Sequence, residues 1–135
     1  MRPPLLSPLG LWASLEIRAR LVEERSGLSI ATDLETVELG DSNQLTVYRL
    51  VQESLTNSAK YAEATQVEIS LHDFDSHITI EVHDNGKGFA VKDIRPGSHG
   101  LTGMRHRVEA AGGKLQVNST PGSGTQVTAF LPKTL

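Results

Sequence analysis

The chain has 135 residues, 38% of them hydrophobic and 21% charged, a size and composition that suit one globular domain able to bury a core without staples. Zero cysteines remove disulfides, thiolate catalysis and zinc–thiolate sites, while a formal net charge of −3 and an aromatic content of 4% argue against a nucleic-acid partner. No stretch approaches the roughly 18 apolar residues of a membrane span, and the opening "MRPPLLSPLGLW" lacks the pattern of a signal peptide, so a cytoplasmic setting is expected.

In chain order, "RPPLLSPLG" at 2–10 carries three prolines and predicts an extended lead-in. A helix over about 10–25 follows, with Leu11, Leu15, Ala19 and Val22 at helical spacing and Gly27 as its stop. "LSIATDLE" predicts a short strand, and "LGDSN" leads into a second helix over about 44–62, with Asp41, Ser42 or Asn43 available as its cap. In "TQVEISLH" and "SHITIEVHD", Val67, Ile69, Leu71, Ile78, Ile80 and Val82 alternate with polar neighbours, which predicts an antiparallel hairpin closed by "DFDS". A glycine-rich stretch over 86–103 precedes a short helix in "GMRHRVEAAGG", and a second hairpin, "KLQVNS" then "TQVTAFLP", closes on "TPGSG". This order predicts an α+β domain: a two-layer sandwich with a mixed, mostly antiparallel sheet of about five strands and about three helices on one face.

Two features exceed what a scaffold needs. Directly after a strand the chain runs through "HDNGKGF", which alone could be a plain chain reversal, since Asp, Asn and Gly are ordinary turn formers. On the second helix, at about 100° per residue, Val47, Val51, Leu55, Ser58 and Ala62 share one side, and Glu53, Asn57 and Lys60 cluster on roughly the opposite side. That face alone could be solvated surface. It could equally bring two oxygen side chains to Mg²⁺ and an ammonium to a phosphate. Gly86, Gly88, Gly97, Gly100, Gly103, Gly122 and Gly124 let backbone amides approach an anion, and Gly103 is expected at a helix start. Singly these signals are weak; their order along the chain is specific.

That order resembles the catalytic, ATP-binding domain of sensor histidine kinases, in the superfamily shared with DNA gyrase, the heat-shock chaperone ATPase and MutL. "QESLTNSAKYA" is similar to the N box, "DNGKGF" to the first glycine box, "GSHGLTGMRHRVEAAGG" to the second with its lid, and "GSGT" to the third; "RPPLLSPLGL" and "GLTGMRHRVEAAGG" resemble the nitrate-sensor and DesK-like subfamily. The resemblance covers almost the whole chain. It implies ATP and Mg²⁺ as cofactors and the Bergerat-type fold. It implies that Asp84 accepts the adenine amine, that Gly86 and Gly88 keep the backbone open to the purine, and that Thr125 completes the adenine site. Asn57 would ligate Mg²⁺, with Glu53 beside it as general base or water-positioning acid. Lys60 would touch phosphate, Tyr61 would stand where relatives carry histidine, and a lid over about 92–103, with Gly100, Leu101 and Gly103 at its end, would close over the triphosphate.

None of His72, His77, His83, His99 and His106 sits in the pattern of a phosphoacceptor helix. The expectation is therefore a catalytic unit over 10–135, with residues 1–9 as the junction to a dimerisation and phosphoacceptor domain, and His99 as a lid residue. Expected partners are that helical domain of the same protein and a response regulator, with the full-length protein a homodimer and this piece a monomer. The setting would be cytoplasmic, or the cytoplasmic part of a membrane-anchored sensor. Two other readings are an ATP-driven conformational switch of the gyrase, chaperone or MutL type, and a nucleotide-binding module without catalysis.

Overall fold

The computed structural model describes residues 8–60, 62–88 and 100–133. Tyr61 and the segment 89–99, which holds most of the expected lid including His99, lie outside the described residues, as do residues 1–7 of the expected junction.

The alternating residues form a five-stranded sheet. Strands β1 (Ser29–Leu34), β2 (Gln66–Asp73), β3 (His77–Asp84), β4 (Lys114–Ser119) and β5 (Thr125–Pro132) lie in the order β1-β2-β3-β5-β4. Only β1 and β2 are parallel; the other three pairings are antiparallel. Val67, Ile69 and Leu71 of β2, Ile78, Ile80 and Val82 of β3, and Val127, Ala129 and Leu131 of β5 all point to one buried side. Residues between them, such as Glu68, Thr79 and Gln126, are half-buried or exposed on the other. Helices α1 (Pro8–Ser26), α2 (Asp41–Lys60) and α3 (Leu101–Ala110) cover the apolar face, α2 lying against β2 and β3 with α1 and α3 beside it. This is the two-layer α+β sandwich expected from the alternation.

The edge strand β1 would offer free backbone groups to any passing strand, and side chains of α1 occupy them. Arg20 Nη2 donates to Ile30 O (2.9 Å), Glu23 Oε2 accepts from Ile30 N–H (2.7 Å) and Trp12 Nε1 donates to Leu34 O (3.2 Å). The polar residues of α1 thereby close the sheet, while Leu11, Leu15 and Ala19 fill the core beneath it. At the turn between β2 and β3, the Asp75 N–H and then Lys133 bond Asp73 and hold its carboxyl below the usual range.

The bounds of all three helices differ from expectation. Helix α1 takes in Pro8 and Leu9, because proline is compatible with a first helical turn, where its missing N–H costs nothing. Helix α2 starts at Asp41 rather than about 44, its first bond running from Gln44 N–H to Gly40 O (3.0 Å), and it ends at Lys60. Asn43 does not cap it. Its Nδ2 instead donates to Pro132 O (2.8 Å), tying the head of α2 to the end of β5 from a buried position. Helix α3 starts at Leu101, with Gly100 as its N-cap, so Gly103 lies within the first turn instead of at the start.

Candidate functional site

Strand β3 ends on Asp84, which is only 6% exposed. A carboxylate there needs donors, and it has three among the described residues. Its Oδ1 accepts from the N–H groups of Gly86 (2.9 Å) and Thr125 (3.2 Å), and its Oδ2 accepts from the hydroxyl of Ser58 on α2 (2.8 Å). The next residue turns outward: Asn85 Oδ1 accepts from Thr65 N–H and Gln66 N–H (both 2.9 Å), fastening the exit of β3 to the entry of β2.

The glycines that follow serve close backbone packing. Gly86 lies so near the end of α2 that a Cβ would come within 2.7 Å of the Ala62 Cβ, and Lys87 N–H donates to Ala62 O (2.7 Å). Gly88 (φ 63°) and Gly124 (φ 81°) combine left-handed backbone with contacts that exclude a side chain. A Cβ on the first would lie 2.9 Å from Gly124 O, and one on the second 3.1 Å from the Asp84 carbonyl carbon. "DNGKG" and "GSG" are thus two halves of one interlocked corner. The exit from β3 is polar because Asp84 must be bonded and aimed inward, and rich in glycine because two chain segments and a helix end meet there.

Above this corner is a cavity of about 320 Å³. Helix α2 supplies Ser54, Asn57, Ser58 and Lys60; the sheet supplies Val82, Asp84, Thr125 and Val127; Leu101 comes from α3, and Ala62, Glu63, Lys87 and Gly88 complete the wall. Val82, Val127 and Leu101, each at most 5% exposed, are apolar walls for a flat ring, and Asp84 offers it an acceptor. Asn57 and Lys60 bring an amide and an ammonium to the same space.

Six of the expected residues therefore line one cavity: Asn57, Lys60, Asp84, Gly88, Leu101 and Thr125. Glu53, Gly86, Gly100 and Gly103 do not line it among the described residues. Glu53 is half-buried one turn before Asn57, and its carboxylate rests against Gly100 at the head of α3, where any Cβ would collide with it. Gly103 sits in the first turn of α3 with only the Arg107 guanidinium at 3.9 Å from a would-be Cβ. Thr125 contributes its N–H to Asp84, and its hydroxyl is shared with Ser119 (2.9 Å). Ser58 lies on the buried side with the apolar stripe, as projection predicts, 2% exposed, and its hydroxyl reaches the cavity floor through Asp84. A hydroxyl on an otherwise apolar stripe, one residue after Asn57, was the available signal.

Asn57 brings an amide to the cavity, and the Glu53 carboxylate lies one turn before it, against Gly100. Among the described residues no group of three or more His, Cys, Asp or Glu could hold a metal ion. An amide oxygen and a carboxylate four residues apart on one helix are the sparse set Mg²⁺ uses when it keeps waters and takes phosphate oxygens.

The sequence of residues 42–135 matches the model of the histidine kinase-, DNA gyrase B- and HSP90-like ATPases. The chain belongs to this family. Over 138 residues it is 32% identical to the signal transduction histidine-protein kinase/phosphatase DegS of Brevibacillus brevis, covering 99% of this chain and 35% of that protein. A sensor-like histidine kinase of Chloroflexus aurantiacus is 32% identical over 142 residues, covering 98% and 24%. The chain thus spans about a third and about a quarter of the length of these two relatives. Among solved structures, the histidine kinase domain of the Erythrobacter litoralis blue-light activated kinase superposes with a TM-score of 0.78 at 22% identity, over 91% of this chain and 61% of that one. The mycobacterial sensor kinase MprB gives 0.71 at 23%, over 89% and 92%. These matches bear out the resemblance to the ATP-binding catalytic domain of sensor histidine kinases, and the likeness to solved structures bears out the fold.

Proposed function

We propose that this chain presents the γ-phosphate of ATP to a histidine on a helical domain, as the catalytic unit of a two-component sensor kinase, with onward transfer to a response regulator. The observation that carries the reading is Asp84: a buried carboxylate whose three protein donors leave acceptor capacity on Oδ2, at the floor of a cavity walled by Val82, Val127 and Leu101. A base with an exocyclic amine satisfies that acceptor, and the apolar walls keep water from competing.

Asn57 and Glu53 would hold Mg²⁺, which when bound offsets charge on the phosphate oxygens. Lys60, exposed at the last turn of α2, reaches a phosphate as a point charge. Glu53 is the group to take the proton from the incoming imidazole or to orient it, its carboxylate steadied by the contact with Gly100. Phosphoryl transfer demands positioning and charge compensation more than covalent participation by the protein, and Asn57, Lys60 and Glu53 of α2 would serve these.

Because none of the five histidines of this chain stands in an acceptor-helix pattern, the chain should bind Mg-ATP yet gain no phosphohistidine by itself. Incubation with γ-labelled ATP tests this. Nucleotide retention without acid-labile label on the chain is the expected result, and acid-labile label on it would contradict the reading.

A further inference from the structure

The Asp84–Ser58 contact carries an inference that rests on the nucleotide reading above. We propose that Ser58 is a positioning residue for base selection: by donating its only proton to Asp84, it keeps the cavity floor an acceptor surface that selects a purine with a 6-amino group over one with a 6-keto group.

The proton inventory supports this. A serine hydroxyl has one O–H and two lone pairs. Ser58 spends the O–H on Asp84 Oδ2 at 2.8 Å, so its remaining capacity, like that of Oδ2, is to accept. Oδ1 is engaged by two backbone N–H groups, from Gly86 and Thr125, that no rotation of a side chain can withdraw. Ser58 is 2% exposed and Asp84 6%, so neither has an ordinary water shell as an alternative partner. The other buried serine of α2, Ser54, sends its hydroxyl to Met104 Sδ (3.9 Å) and does not substitute for it. Ser58 thus supplies the one side-chain donor to Asp84 among the described residues.

Removing that donor changes more than affinity. Without the hydroxyl the floor loses the serine lone pairs and the bond that fixes Oδ2, so the acceptor edge that attracts an amine and repels a keto oxygen is weakened. Loss of the hydroxyl should therefore weaken binding of an amino purine and relax the exclusion of a keto purine. A residue with only a packing role would weaken both alike.

The experiment is calorimetric titration of the chain with ADP and with IDP, which differs by the 6-keto group, for the unmodified protein and for Ser58→Ala, each with a melting curve. The unmodified protein should prefer ADP. Ser58→Ala should lose ADP affinity by about three- to tenfold, less than removal of the Asp84 carboxylate, with a smaller loss for IDP, so that the preference narrows. Should Ser58→Ala melt below the assay temperature, Ser58→Cys, of similar shape with a weak donor, reads the same ratio and should narrow it. An unchanged ADP/IDP ratio in the folded variant, or an equal loss for both nucleotides, overturns the inference. Absence of ADP binding by the unmodified protein overturns the nucleotide reading itself and leaves a different signature.

Discussion

Asn57 occupies the margin of the buried arc of α2, half-buried beside Leu50 and Ser54, which are 2% and 4% exposed. A metal ligand belongs at such a margin, since its backbone is held by the packed face while its side chain reaches the cavity. Asn57→Ala should leave stability within about 1 kcal/mol, as for most substitutions outside a core. Leu55→Ala, at a position 0% exposed, should cost about 2 to 5 kcal/mol. ATP affinity of Asn57→Ala, measured in magnesium and in excess chelator, should fall in the first and stay nearly level in the second, because only contacts made through the cation depend on the amide. A loss that ignores magnesium, or a large drop in melting temperature, would assign Asn57 to structure.

The head of α3 meets α2 through Gly100, in left-handed backbone (φ 72°), and the Glu53 carboxylate packed against it. Gly100→Ala should destabilise the protein by about 1 kcal/mol or more from backbone strain alone, and further by displacing Glu53. In a Glu53→Ala background the same change should cost less, because the collision partner is gone, and a double-mutant cycle from chemical denaturation measures the difference. Simple additivity would mean the contact carries no energy. The strands were legible because period-two alternation over Val67, Ile69, Leu71 and Ile78, Ile80, Val82 admits one register toward the core. The helices were legible in type, less so at their heads. Asn43, a good capping residue by composition, found a better partner in Pro132 O, 89 residues away, and no local rule anticipates that. Projection of α2 placed Asn57 opposite the core because it assumed one packed side, whereas α2 lies against β2, β3, α1 and α3 and buries a wide arc.

At the scale of the molecule, the sheet and its three helices build a cavity at the end of β3 where the segments 84–88 and 122–125 interlock. The order of the motifs in the sequence anticipated residues that fold together: Asn57, Lys60, Asp84, Gly88, Leu101 and Thr125 line one cavity. The sequence did not disclose which glycines are also required by chain packing, since the contacts of Gly86 with Ala62 and of Gly124 with Asp84 exist only after folding. The account rests on Asp84 being the base-reading group. Its most direct test is calorimetric titration of ADP into the folded chain and into Asp84→Ala, with melting curves for both. Saturable binding to the first, and affinity lower by about ten- to a hundredfold for a second that still melts cooperatively, is the predicted result, that factor being the worth of a charge-assisted hydrogen bond. Equal ADP affinity of the two folded proteins would contradict it.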